Sequence, residues 1–338
     1  MQVDGPFYAG VVDAAKEVIR MRDMGYDGVY TMEGNSDPLF PLIIAAEHAP
    51  ELHISTGIAV SFPRNPSHLA YQAWDLQKLS QGKFALGLGS QIKTHIEKRF
   101  GCEFSPAAER MKEQIEALKA FFNTFQHGER LNYQGKFYRH TLMTPMFDAG
   151  PNPFGIPPVW IGAVGPKMTH VAGTTADGLI AHPFHTLNFL RDTQLKGLHQ
   201  GIDDAGREKS DVTVNVAGIC ITGENEQEFE AATQTIKGLL AFYGSTPAYL
   251  PPMKEMGIDG LHPRLNKLSK EGRWDKMAEL VDDDFVNGFA VVGEPKDMGQ
   301  KLWDKYGDMA DRLSLYTPYN TDAWKTIIQD IKVLRGDK

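Results

Sequence analysis

The chain has 338 residues, 42% of them apolar and 23% charged, so it can bury a sizeable core and is not a disordered or fibrous polymer. Thirty-five Lys and Arg against 43 Asp and Glu leave a net charge of −8, which argues against a nucleic-acid surface or an anionic membrane as partner. Cys102 and Cys220 are the only thiols and fit no close-spaced metal motif, so free thiols in a reducing cytoplasm are expected. Met1 to Tyr8 lack a basic start followed by an apolar run. No window approaches the ~18 uninterrupted apolar residues of a membrane span, so neither export nor insertion is expected.

In chain order, residues 2–4 read as a short strand, and residues 11–24 carry Val11, Ala14, Ala15, Val18 and Met21 at helical spacing before Gly25 stops them. Residues 28–32 read as a buried strand, followed by a polar loop to Asp37 and a helix opened by Pro38. The unit recurs. Residues 54–61 are β-branched and apolar, and Asn65 caps a helix with Pro66 in its first turn and Leu69, Ala73 and Leu76 facing inward. Residues 84–88 form the next strand, and a long helix runs from Ser105-Pro106 to about Gln126. Aromatic pairs about Gly135 within residues 128–146 predict a hairpin inserted on a barrel edge. Strands at 159–162, 178–181, 212–220 and 312–316 complete a count of eight, alternating with helices at 187–204, 225–243 and 295–306.

Near-continuous apolar strands of this kind are buried on both faces, and eight of them close into a (β/α)8 TIM barrel. Residues 246–284, marked by four prolines and helical at 274–281, read as an insertion, so the whole span 1–338 is one domain. A doubly wound open sheet with a separate helical lobe is the alternative.

Loops after the C-terminal strand ends build the site of such a barrel. They supply Glu33, Asn35, Ser36 and Asp37 after strand two, and Gly89, Ser90, Gln91 and His95 after strand four. Strand five leads into residues 162–166, and strand six into His182, Phe184 and His185. Gly162-Ala163-Val164-Gly165-Pro166 puts small residues before a helix, where amides of Gly165, Lys167 and Met168 suit a phosphate; a tight turn needing glycine for geometry alone is the other reading. Gly87 and Gly89 offer a strand end bare of side chains, over which a flat ring can approach the backbone. Glu33 reads either as a proton acceptor or as a carboxylate binding backbone amides. His95 lies among Lys93, Lys98 and Arg99, a solvated face or an anchor for an anionic tail. His182 and His185 lack an acidic third ligand, which favours a pocket wall over a metal site.

Phe62-Pro63-Arg64-Asn65-Pro66, then Ala70, Leu79-Ser80 and the run from Gly82 to Gly89, resemble the central signature of the bacterial-luciferase-like monooxygenase superfamily. Pro158 to Pro166, Ala172-Gly173, Ala176-Asp177-Gly178 and the late segment Val291 to Pro295 extend the resemblance over nearly the whole chain. It implies a (β/α)8 barrel, commonly a homodimer, using reduced FMN with oxygen or the deazaflavin coenzyme F420 for hydride transfer. Gly89 to Gly101 resembles an F420-linked branch of oxidoreductases; where FMN-using branches often carry Arg and Trp around Gly-x-Gly, this chain has Ala85 or Leu86, and Ser90.

The resemblance thus implies an F420-dependent oxidoreductase acting on a small organic substrate. An FMN-dependent monooxygenase served by a flavin reductase, and a noncatalytic deazaflavin-binding barrel, are the alternatives. It places a non-proline cis peptide at Ala59-Val60 beneath the ring, with Gly87, Gly89, Ser90 and Gln91 beside it and the phosphate at Gly162, Ala163, Val164, Gly165, Pro166 and Lys167. Glu33, His95 and His182 are the acid/base candidates, although Gly34 stands where related dehydrogenases have His. Asn35, Trp160, Phe184 and Tyr316 are expected to wall the substrate side.

Overall fold

The computed structural model describes residues 1–319 and 321–337. The first strands are β1 (Gln2–Pro6), β2 (Gly28–Thr31), β3 (His53–Thr56), its continuation β4 (Ala59–Val60), and β5 (Phe84–Gly89). After a hairpin of β6 (Tyr133–Gln134) and β7 (Arg139–His140) come β8 (Val159–Ala163), β9 (Gly178–Ala181) and β10 (Thr213–Ile221). A short β11 (Ala290–Val292) precedes β12 (Arg312–Tyr316). Parallel pairing runs from β1 through β2, β3, β5, β8, β9 and β10 to β12, and β12 pairs with β1, so the sheet closes into an eight-stranded (β/α)8 barrel.

The seam of the barrel is fixed by charge. Arg312 donates from Nε to Asp4 Oδ2 at 2.7 Å and from its second terminal nitrogen to Asp4 Oδ1, while Gln2 Oε1 takes a third bond. Asp4 is fully buried, and this pair ties the first strand to the last from inside. Next to it the Trp160 indole stacks on the His53 ring, centroids 5.4 Å apart and 13° from parallel. Gly178 makes room for that indole: a Cβ there would collide with its pyrrole edge. The N-terminal half of the barrel thus carries the ion pair and the stacked indole, and a barrel of this kind builds its site at the other end, in the loops after the strands.

The helices follow the local signals. Asn65 Oδ1 accepts the Ser67 amide at 2.9 Å at the start of helix Pro66–Leu79, and Asn225 does the same for Glu228 before helix Glu226–Gly244. Gly25, at φ 93°, ends helix Ala14–Met24 in the left-handed conformation.

Four expectations need correction. The strand expected over 54–61 is broken, because Gly57 and Ile58 leave the ladder between β3 and β4; the non-proline cis bond joins Gly57 to Ile58, and Ala59-Val60 instead resumes regular pairing with Leu88 and Gly89. The hairpin lies on no barrel edge, since the closed sheet has none; it packs on helix Ala107–His127 through Tyr133 Oη to Glu116 and the Phe137 amide to Glu113. The helix expected over 187–204 passes through a π-helical stretch, Leu190–Leu195. β11 was not expected; it extends the C-terminal half of β10, where β9 has already ended.

The insertion shares a second apolar core with the barrel. Phe184, Met253, Leu265, Phe285 and Phe289 pack with Leu240 and Tyr243 of helix Glu226–Gly244, which fastens the segment to the barrel mouth.

Candidate active site

One side of the mouth is a clamp built around Glu33. Its Oε2 accepts the Val60 amide at 2.6 Å and a bond from Arg64, and its own amide donates to the Ile58 carbonyl at 3.1 Å. Arg64 also donates to the Val60 carbonyl and to Asp37 Oδ2. With its side chain only 8% exposed, Glu33 holds the bend between β3 and β4 in place, the backbone-binding role of the two open to it.

That bend sets the floor. A Cβ on Gly87 would strike the Thr56 carbonyl oxygen, and Thr56 Oγ1 donates to the Gly87 carbonyl at 2.6 Å. A Cβ on Gly89 would lie 2.6 Å from Ile58 Cδ1, and one on Gly162 would lie 3.0 Å from Ile58 Cγ2. The expected bare backbone ledge is therefore covered by Thr56 and Ile58, and Ile58 forms the apolar surface between β5 and β8. Sequence reasoning missed Ile58 because a β-branched residue in an apolar run reads as one more strand position. Beside the floor, Ser90 and Gln91 are half-buried, with Gln91 left-handed at φ 55°.

At the next loop, helix Pro166–Thr175 starts behind Gly165, with no acidic residue in its first turn. The Met168 amide donates to the Gly165 carbonyl at 3.1 Å, so it is withdrawn from the expected donor set. Gly165 has open space beside it, and the Ala163 carbonyl is pinned by Gln194 Nε2 at 3.1 Å. His95 is half-buried on helix Lys93–Lys98, with Lys93 and Lys98 exposed; Lys93 pairs with Glu97, and Arg99 donates to the Gly34 carbonyl and lies over Phe100. Asn35 is exposed next to Gly34.

The opposite side of the mouth is aromatic. Tyr316 ends β12, and its hydroxyl lies 2.6 Å from that of Tyr243 on helix Glu226–Gly244. The His182 ring stacks on Tyr249 with centroids 4.5 Å apart and meets Tyr243 edge-on at 4.9 Å. Its Nδ1 accepts the Phe184 amide at 3.2 Å, which leaves the proton on Nε2. Burial, with His185 nearby, pulls the His182 pKa down to about 3, so the ring is neutral near pH 7. His185 is likewise held down, to about 4, mainly by burial, and donates from Nδ1 to the His182 carbonyl at 2.7 Å.

Two expected substrate walls stand elsewhere. Trp160 sits in the N-terminal half of the barrel and lines, with Gln2, His53 and Arg312, a cavity of about 490 Å³ at that end. Phe184 is fully buried, stacked on Phe289 at 4.1 Å, and supports Tyr243 and Tyr249 from behind. Tyr243 and Tyr249 were not foreseen, since their approach to His182 depends on how the insertion folds back.

A closed β/α barrel with its candidate site in the loops after the strands is the class of molecule these elements define. Residues 6–312 match the luciferase-like monooxygenase family, and the chain belongs to it. It is 38% identical over 333 residues, 98% of each chain, to an uncharacterized protein of Mycobacterium tuberculosis. It is 23% identical over 310 residues to the 5,10-methylenetetrahydromethanopterin reductase of Archaeoglobus fulgidus, covering 90% of this chain and 89% of that one.

Among solved structures, the coenzyme F420-dependent tetrahydromethanopterin reductase from Methanopyrus kandleri superposes with a TM-score of 0.78 at 20% identity, covering 99% of this chain and 98% of that one. The FMN-bound oxygenating constituent of 3,6-diketocamphane monooxygenase from Pseudomonas putida gives 0.73 at 13% identity, covering 100% and 99%. These two likenesses establish the barrel fold. No helix among the described residues is long and apolar enough to cross a membrane.

Proposed function

We propose that the protein is an F420-dependent oxidoreductase, moving a hydride between the deazaflavin and a small organic substrate. The observation that carries this reading is the two-sided mouth: an apolar floor at Ile58 beside an unobstructed helix start, facing a wall of phenols and a neutral imidazole. Ile58, Ser90 and Gln91 would meet the ring, above the buried Ala59, Val60 and Gly89, and the Gly165 and Lys167 amides would hold its phosphate, beside Gly162 to Pro166. The deazaflavin, when bound, supplies the hydride. The chain orients the substrate, keeps water out and manages the proton. Support for F420 over FMN comes from the Gly89–Gly101 segment and from Ser90, with Ala85 or Leu86, at positions where FMN branches differ.

Titration of the purified protein with F420 and with FMN under the same conditions tests this. Tighter binding of F420, followed by hydride exchange, is expected. Tighter binding of FMN with oxygen uptake establishes the monooxygenase instead, and F420 binding without exchange across a broad panel establishes a binding barrel. The same reading carries a homodimer in the cytoplasm. Phe40 and Ile43, 58% and 42% exposed on helix Phe40–His48, are apolar side chains such a pair would cover, and sedimentation reads the mass.

A further inference from the structure

Hydride transfer to or from an oxygen-bearing carbon needs a partner that gives or takes a proton at that oxygen. The groups expected to do so are poorly placed. Glu33 is committed to Val60 and Arg64, and His95 belongs to a short surface helix. His182 is fixed as a neutral Nε2–H donor and has no second proton to give near pH 7.

The phenols remain. Tyr243 is 7% exposed and Tyr316 is half-buried at the mouth, with their hydroxyls 2.6 Å apart. The buried partner can donate inward to Tyr316 Oη, which leaves the Tyr316 proton free to point into the mouth. We infer that Tyr316, backed by Tyr243, is the proton donor and acceptor of this site for any substrate that presents a carbonyl, or the corresponding alcohol, to it. The inference rests on the F420 reading above.

With such a substrate the carbon–oxygen π bond would break as the carbon takes a hydride, which the reduced deazaflavin would supply when bound, and the oxygen would take the Tyr316 proton. The Tyr243 hydroxyl then stabilises the Tyr316 phenolate until solvent returns a proton. Alcohol oxidation is the reverse. His182 Nε2–H, held between Tyr243 and Tyr249, adds a neutral donor to the same wall. Burial raises both phenols, Tyr243 well above its ordinary value, while the hydrogen bond with Tyr243 works to lower Tyr316. The titratable groups felt by or facing Tyr316 are the phenols of Tyr8, Tyr30, Tyr243 and Tyr249, with neutral His182 behind them.

Two measurements test the proposal. In the cofactor-free protein, 3-fluorotyrosine at position 316 reports its own ionisation by 19F NMR. Tyr243→Phe is expected to raise that midpoint by about one pH unit, and an unmoved midpoint overturns the pair. In the loaded enzyme, acetone, cyclohexanone and benzaldehyde with their alcohols are the probes. Tyr316→Phe is expected to lower kcat by ~100-fold or more with KM little changed and to flatten the alkaline limb of the pH profile, with F420 binding intact by fluorescence. Unchanged turnover in Tyr316→Phe, or F420 binding with no wild-type turnover of any probe, overturns the proposal. Failure of F420 to bind the wild type overturns the cofactor reading and this chemistry with it, and the 19F signature still reports the phenol pair by itself.

Discussion

Gly87 has a backbone carbonyl where any side chain would begin, so its role is to admit Thr56 and, through it, the bend that raises Ile58. Gly87→Ala is expected to destabilise the protein by at least about 2 kcal/mol, read as a lowered urea midpoint. Arg312 and Asp4 form the opposite kind of dependence. Arg312→Met leaves a buried carboxylate without its partner and is expected to cost about 3–5 kcal/mol, while Arg312→Met with Asp4→Leu recovers most of the loss. A double-mutant cycle in urea measures both. Position along a strand was legible for Trp160 in principle: four residues before Val164 at ~3.3 Å each puts it ~13 Å below the loop, too deep for a substrate wall. Glu33 was legible as a strand-end carboxylate but its commitment was not, because Arg64 and Val60 reach it from another βα unit.

At the level of elements, the eight barrel strands and most of their helices were readable because apolar runs, caps and glycine stops agree locally. Asn65 with Pro66, and Pro295 at the first turn of helix Pro295–Tyr306, show this. The break between β3 and β4 was not readable, since Ile54 to Ser61 is a continuous run of β-branched and small residues and the interruption is imposed by Glu33 and Gly89 across the sheet. The insertion was visible as an extra segment, but not its contact with the mouth. That contact runs through Phe184 and Phe289, so Phe289→Ala is expected to cost about 3–5 kcal/mol and to loosen Tyr243 and Tyr249. The check is an earlier urea midpoint together with a raised KM for the carbonyl probes.

Taken as a whole molecule, the fold buries imidazoles that an unfolded chain would protonate in mild acid. His185 is fully buried with a pKa near 4, His182 near 3, and burial also holds His53 well below its ordinary value. Because these folded-state values lie below the unfolded value, the unfolded chain binds the extra protons as pH drops below about 6.5, and stability falls from there toward pH 4. His185 alone contributes on the order of 3 kcal/mol to that fall. Thermal melts between pH 7 and 4 are expected to show the decline, with a shallower slope in His185→Gln.

The Asp4–Arg312 seam joins positions 308 residues apart. During synthesis at roughly 5–20 residues per second, β1 therefore waits about 15–60 s for its last neighbour. Throughout that interval one margin of the growing sheet offers unpaired amides and carbonyls, an invitation to stick to another nascent chain. The yield of soluble protein in cells is thus expected to hinge on shielding by chaperones while the ribosome is still translating, more than on the strength of the finished barrel.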